Sequence, residues 1–149
     1  MADWDLRFMD LAGFIGSWSK DRSRQVGCVV VAPDNSIRSI GFNGFPRGLN
    51  DDHDARHERP SKYLWTEHAE RNAIYTAARN GIPLDGCRLY LPWFPCVDCA
   101  RAIVQVGLSE LVCQEPDISD AQWGEGFKVS IELLKEAGVR VRFMEPRGG

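Results

Sequence analysis

Four side chains on two distant segments most constrain how this chain can fold. His68 and Glu70 are two residues apart, and Cys96 and Cys99, which follow Pro95, are three apart. One imidazole and two thiolates are typical zinc ligands, and three protein ligands leave the fourth tetrahedral position to water. A nearby carboxylate can move protons to and from such a water. The fold must therefore bring the two segments together at one point.

Both segments are predicted to begin helices. A helix capped by Thr66 and ending near Arg79 puts the imidazole and the carboxylate in its first turn. Residues two apart point about 200° apart around a helix, but side chains of the first turn tilt toward the N-terminus and can converge beyond it. Pro95 suits the start of a second helix over residues 96–106, in which the two cysteines share a face. The free N–H groups at that start favour thiolate over thiol.

The remaining hydrophobic pattern predicts an α/β domain spanning residues 1–149. Strands are predicted over residues 25–32, 36–42, 87–91, 110–114 and 139–143, and two further helices over 4–18 and 125–137. Strands separated by helices should be parallel, with the first hairpin as the antiparallel exception. We therefore expect one mixed five-stranded sheet with helices on both faces. The apolar helix positions predicted to face the core are Trp4, Phe8, Leu11, Ile15 and Trp18 in the first helix and Phe127, Ile131 and Leu134 in the last.

Composition and charge exclude several classes of protein. Charged residues make up 26% and hydrophobic residues 44% of the chain, which is typical of a globular protein. No apolar run approaches the roughly 20 residues that span a bilayer, and no basic region followed by an apolar stretch predicts secretion. The net charge of −3 argues against a surface for long nucleic acids. The five cysteines are an odd number, so we expect reduced thiols in a cytoplasmic protein.

Three other interpretations of the ligand residues stay open. The zinc site could be closed by a fourth ligand from Cys28, Cys87, His53 or His57, although such a site has no use for the carboxylate. His53 and His57 could bind a second metal in the irregular loop predicted over residues 43–62, a length typical of functional loops. Finally, His68 could be a buried core histidine beside two unrelated thiols.

The pattern of His68 and Glu70 followed by Pro95, Cys96 and Cys99 matches the signature of zinc deaminases that act on nucleobases. Together with GFNGFPRG at 41–48, HAERNAI at 68–74 and FPCVDCA at 94–100, it makes the chain resemble the deoxycytidylate (dCMP) deaminase family. The resemblance implies a three-layer α/β/α cytidine-deaminase-like fold and one catalytic Zn²⁺ per chain. It also implies hydrolysis of dCMP to dUMP and ammonia, in which zinc-bound hydroxide attacks C4 and Glu70 shuttles the protons.

The same resemblance implies partners and substrate contacts. A homo-oligomer, in many members a hexamer, and the effectors dCTP and dTTP are expected. Asn43 is expected to contact the sugar or base, and the backbone near Phe94 and Pro95 to hold the departing amine. The substrate-binding residues predicted in full are Asn43, Arg47, Ala69, Trp93, Phe94 and Pro95.

The 5′-phosphate needs a cation or several N–H donors. Arg47 is the first candidate because its Gly-rich turn lets backbone and side chain approach a phosphate together, and Lys62 and Arg101 are the alternatives. We expect Trp93 to form a pocket wall and Trp65 to pack in the core. Other substrates stay possible, namely free cytosine, guanine, a modified cytosine nucleotide or a pterin-like ring. A non-catalytic nucleotide-binding module, which would place four protein ligands on the zinc, is a further alternative.

Overall fold

The computed structural model describes residues 3–145, and within them it contains six helices and five strands. The helices are α1 (Trp4–Gly16), α2 (Asp54–His57), α3 (Lys62–Trp65), α4 (Ala69–Arg79), α5 (Val97–Gln105) and α6 (Gly124–Glu136). The strands are β1 (Gly27–Val31), β2 (Ile37–Phe42), β3 (Arg88–Leu91), β4 (Glu110–Cys113) and β5 (Arg140–Phe143). The predicted element order is present, with α2 and α3 added before α4.

The five strands form one mixed sheet in the order β2-β1-β3-β4-β5. β1 pairs antiparallel with both β2 and β3, while β3, β4 and β5 run parallel. β2 and β3, which are joined through helices, therefore run in the same direction, as crossover connections require. β1 lies inside the sheet and is buried along its whole length, which explains its continuous apolar sequence. The predicted mixed sheet and antiparallel first hairpin are confirmed.

Helices cover both faces of this sheet. On one face α1 encloses a small cluster whose members include Phe8, Ile15, Val29, Tyr90 and Val112. On the other face α4, α5 and α6 enclose a larger cluster whose members include Cys28, Val30, Ala73, Leu91, Ile103 and Phe127. Successive residues of a strand point to opposite faces, so Val29 and Val30 belong to different clusters. The three-layer α/β/α fold is confirmed. No helix within residues 3–145 is long and apolar enough to cross a bilayer.

The start of α4 differs from the prediction. Thr66 does not cap this helix but ends α3, because its backbone N–H donates to the Lys62 carbonyl and its own backbone is extended. His68 is the N-cap instead, and α4 begins at Ala69. The segment 43–62, predicted as irregular, contains α2 and the first residue of α3. Two short turns before α4 thus move its start by two residues and leave the imidazole at the helix end.

Two predicted core faces are wrong in part. Ile131 is 38% exposed, while its neighbour Ser130 is fully buried. The buried face of α6 therefore includes Ser130 in place of Ile131. Trp4 and Trp18 are 44% and 48% exposed. Trp18 lies beyond the end of α1 at Gly16, so it cannot continue the helical stripe.

Candidate metal centre and substrate cavity

His68, Cys96 and Cys99 converge on one point. The Nδ1 atom of His68 lies 3.4 Å from each of the two sulfur atoms, and the ligand atoms of all three residues lie within 4.8 Å of one another. In the described part of the chain no other group of three His, Cys, Asp or Glu side chains converges in this way. The predicted meeting of the two segments is therefore present.

Two helix starts bring these ligands together. His68 is the N-cap of α4 and Cys96 is the N-cap of α5, and both have extended backbone, so their side chains project past the helix ends. Neither side chain caps its own helix, which leaves the imidazole and the thiol free to face each other. Cys99 lies in the first turn of α5 and Glu70 in the first turn of α4. The site is thus assembled from the N-terminal ends of two adjacent helices.

The residues considered as a fourth ligand lie elsewhere. The His57 ring stacks on Phe45 and its Nε2 lies 2.5 Å from the Asp51 carbonyl, while His53 is the N-cap of α2. The Cys28 thiol donates to the carbonyl of Ala69, 3.3 Å away. Neither these residues nor Cys87 join the cluster in the described chain. One nitrogen and two sulfur donors fit a zinc ion, and three protein donors fit the open type of site.

Protonation of the three ligands is tightly coupled. The Cys99 thiol donates to Cys96 and lowers the pKa of Cys96 to about 4, with a further contribution from His68. The same hydrogen bond, together with burial, raises the pKa of Cys99. The contact with Cys96 also raises the pKa of His68. A dication that binds here must therefore displace protons from the histidine and from the second thiol.

Glu70 lies buried beside this cluster, with only 4% of its surface exposed. Burial raises the pKa of its carboxyl group, which favours a neutral form able to donate a proton. The turn that carries it lies directly on β2, because a Cβ atom added to Gly41 would lie 2.2 Å from the Ala69 carbonyl oxygen and 2.5 Å from the Ala73 nitrogen. The glycine in β2 therefore sets how closely the turn that carries Glu70 approaches the sheet.

A cavity of about 190 Å³ opens beside the cluster, and Glu70 lines it. Much of its wall is aromatic, which suits the faces of a flat heterocycle. Its rim carries three basic side chains that could meet an anion. The aromatic residues are Tyr63, Trp93, Phe94, Trp123 and Phe127, the basic ones are Arg24, Arg59 and Lys62, and Asn43, His68, Ala69 and Cys96 also line the cavity.

The residues predicted to bind substrate are distributed unevenly. Asn43 lines the cavity, but its amide is engaged with backbone, since Nδ2 donates to the Arg24 carbonyl and Oδ1 accepts from the Val26 N–H, both at 2.8 Å. Ala69, Trp93 and Phe94 line the cavity, whereas Pro95 is buried and does not line it. Asn43 therefore organises the segment before β1.

Two candidates for the phosphate lie away from the cavity wall. Arg47 donates to the Thr76 hydroxyl at 3.2 Å, on the outside of α4, and Arg101 pairs with Asp98. Neither lines the cavity. Trp65, predicted to pack in the core, is half-buried and lies 4.0 Å from the Arg56 guanidinium.

Lys62, an alternative candidate for the phosphate, lines the cavity, but it is buried and holds Asp21 at 3.3 Å. Sequence reasoning missed other side chains of the rim. The guanidinium of Arg24 lies 3.7 Å from the centre of the Trp93 ring. Tyr63 accepts a hydrogen bond at 3.0 Å from Gln122, which lies before α6. For Arg24 a signal was available in the sequence, because the polar run that contains it comes directly before the buried strand β1 and therefore lies at an end of the sheet.

Comparisons with known proteins agree with this geometry. Residues 2–115 match the family model described as the cytidine and deoxycytidylate deaminase zinc-binding region. The uncharacterized deaminase in the luxG 3′ region of Aliivibrio fischeri is 43% identical over 97% of this chain and 95% of its own length. Deoxycytidylate deaminase of Mus musculus is 35% identical over 97% of this chain and 82% of its own length. The crystal structure of dCMP deaminase from the cyanophage S-TIM5, in complex with dCMP and dUMP, is similar with a TM-score of 0.75 and 26% identity, covering 93% of this chain and 95% of that one.

Proposed function

Because the chain belongs to the cytidine and deoxycytidylate deaminase family, and so is a hydrolytic deaminase of a cytosine nucleotide, we propose that its substrate is dCMP. The products would be dUMP and ammonia. The observation that carries this proposal is the buried Glu70 beside a three-ligand cluster, at the wall of a cavity with aromatic sides and a basic rim.

The metal centre has a defined place in this chemistry. His68, Cys96 and Cys99 would hold zinc, which when bound supplies a Lewis acid that lowers the pKa of water to about 7. The three donors leave room for that water, since no fourth protein ligand joins them in the described chain. This absence argues against the non-catalytic module, which needs four protein ligands.

Glu70 would carry the protons of the reaction. Its carboxylate takes a proton from the attacking water and delivers it to ring N3, while the water oxygen bonds to C4. It then carries the second water proton to the exocyclic amine, the C4–N bond breaks, and ammonia leaves. The raised pKa of this buried carboxyl supports both roles, because a group that must accept and donate works best near the operating pH.

The base and the phosphate would bind at different ends of the cavity. The aromatic residues next to the metal centre suit the pyrimidine ring, and the basic rim suits an anion. A free base such as cytosine or guanine carries no anion for the two exposed arginines of that rim, Arg24 and Arg59. A nucleotide therefore fits the cavity better than a free base.

An ammonia-release assay tests this assignment. The zinc-loaded protein is supplied with cytosine, cytidine, dCMP, dCTP, guanine and 5-substituted dCMP at equal concentrations, and kcat/KM is compared. We expect dCMP to give the highest value. A higher value for another compound would refute the substrate assignment while leaving the deaminase chemistry intact. Loss of turnover on all of them by a folded, zinc-loaded protein would favour the binding module.

Assembly, regulation and location form part of the same proposal. The exposed aromatic side chains of Phe14, on α1, and Trp18, just beyond its end, support a homo-oligomer, for which a hexamer is predicted. Regulation by dCTP and dTTP stays a prediction. The five unpaired cysteines fit the predicted cytoplasmic location. Size-exclusion chromatography with light scattering, with and without each nucleotide, tests the first two points.

A further inference from the structure

Arg24 differs from the other two basic side chains of the cavity. Arg59 is also exposed, but its guanidinium donates to the Ser23 hydroxyl at 3.4 Å. Lys62 is buried and fully engaged, with Asp21 at 3.3 Å and the Ser23 hydroxyl at 2.6 Å. Arg24 is exposed, and within residues 3–145 no carboxylate pairs with its guanidinium. The contact recorded for that guanidinium is the face of Trp93, at 3.7 Å from the ring centre. A cation held by an aromatic ring keeps its charge available for an anionic ligand.

The backbone of Arg24 is fixed from two sides. Its N–H donates to the Asp21 carboxylate at 2.9 Å, and its carbonyl accepts from the Asn43 amide at 2.8 Å. Asp21 is in turn held by Lys62, and Asn43 is buried next to β1. The guanidinium therefore extends from a backbone position that hydrogen bonds hold in place, although Arg24 lies in the segment between α1 and β1.

Trp93 connects this cation to the metal centre. It precedes Phe94, Pro95 and the ligand Cys96 in sequence, and its ring forms a T-shaped pair with Phe127, with the centroids 6.1 Å apart. One face of its indole is covered by Arg24, so that face is not free to stack on a base. A guanidinium stacked on a ring still presents N–H groups at its edge, in the fork geometry that binds phosphate oxygens.

We propose that Arg24 is the residue that recognises the 5′-phosphate, and that Trp93 is a positioning residue which holds its guanidinium in place. This inference rests on the proposed function, because it assigns a role within the nucleotide site. It replaces Arg47 with a cation that lines the cavity, and it changes the role of Trp93 from a wall for the base to a support for the cation.

Steady-state kinetics with dCMP and titration with the product dUMP test both roles. Arg24→Ala should raise KM for dCMP and Kd for dUMP about 10- to 100-fold, which is the range for loss of charge-assisted hydrogen bonds, with kcat changed less than about 3-fold. Arg24→Lys, which keeps the charge but loses the fork, should fall between. Arg22→Ala is the matched control, since Arg22 lies in the same segment but pairs with Asp54 and does not line the cavity.

A double-mutant cycle tests the support role of Trp93. Trp93→Leu should raise KM and Kd in the same direction as Arg24→Ala, by about 3- to 30-fold. In the Arg24→Ala background the same change should have almost no further effect on Kd. Equal effects of Trp93→Leu in both backgrounds would show that Trp93 acts independently, and would overturn its assigned role.

The outcomes separate this inference from the proposed function. If Arg24→Ala binds dUMP as tightly as Arg22→Ala, the phosphate assignment is wrong even when dCMP is the substrate. If the wild-type protein binds dUMP through Arg24 but releases no ammonia from dCMP, only the proposed reaction is wrong. Zinc content and the melting temperature are measured for each variant, and a kinetic change that follows loss of zinc or of folded protein would also count against the phosphate role.

Discussion

Gly41→Ala should damage catalysis far more than it damages stability. The added Cβ would lie 2.2 Å from the Ala69 oxygen and 2.5 Å from the Ala73 nitrogen. Both contacts are with backbone atoms, so no flexible side chain can move aside. Since ordinary contacts begin near 3.4 Å, the first turn of α4 must retreat from β2 by about 1 Å.

The loss of stability and the loss of catalytic rate differ in size because they have different physical causes. Overpacking of this kind lowers the free energy of unfolding by about 1–3 kcal/mol, and for a chain of this size each kcal/mol lowers Tm by about 2–4 °C. The same shift moves Glu70 relative to the metal ligands of α5. A displacement of about 1 Å at reacting groups can cost about 100-fold in rate, so kcat should fall by that order while the protein stays folded.

The assay compares kcat for ammonia release from the preferred substrate with thermal unfolding of the same zinc-loaded sample. Gly44→Ala is the matched control, because a Cβ there meets no atom within 4 Å and the residue lies only three positions along the chain. We expect kcat of that control within about 2-fold of wild type. A Gly41→Ala enzyme with kcat within about 3-fold of wild type would refute the reasoning that the β2–α4 contact sets the position of Glu70.

Three further perturbations probe the proton shuttle, the ligands and the opposite face of the sheet. Glu70→Gln should retain zinc but lose about 10²–10⁴-fold in kcat, and turnover within tenfold of wild type, measured beside metal content, would remove the shuttle role. Zinc affinity should rise with pH, because protons must leave the ligands when the metal binds. The contact with Cys96 raises the pKa of His68, and the hydrogen bond to Cys96 together with burial raises the pKa of Cys99. Equal zinc affinity in acid and alkaline buffer, measured by competition with a chelator, would contradict this. Asp5→Asn should lower the free energy of unfolding by about 1 kcal/mol at neutral pH. The hydrogen bond from Arg142 lowers the pKa of Asp5 in the folded protein, so the stability contributed by Asp5 is present above its unfolded pKa of about 3.9 and is lost as the pH falls through its folded pKa. Urea unfolding that gives the same stability difference between the wild type and Asp5→Asn at acid pH would disprove this.

The metal centre and the fold were predictable because their signals are local. Zinc ligands must be particular residue types at particular spacings, so His68, Cys96 and Cys99 could be identified without knowing the fold. The sheet was predictable because apolar runs alternate with helical periods along the chain. Both signals lie in residues that are close together in sequence, and neither depends on the exact residue at which a helix or strand begins.

The phosphate contact could not be predicted in the same way. Arg47 was chosen for its Gly-rich turn, but its side chain is bound to Thr76 on the outside of α4. Arg24 comes to the cavity only because Asn43 and Asp21 hold its backbone, and because Trp93, far along the chain, supplies a surface for it. No periodicity or composition encodes such contacts between loops. The N-cap at His68 was missed for a related reason, since residue preference favours Thr66 until the turn of α3 is known.

The division of the core between the two faces of the sheet also predicts how the protein moves. The metal-side helices rest on the larger cluster, whereas α1 rests alone on a small cluster around Phe8 and Ile15. We therefore expect local opening to begin at α1 and to spare α4 and α5. In hydrogen exchange, amides of α1 should exchange faster than those of α4. Opening of the α1 face of the sheet would then leave the metal ligands in place.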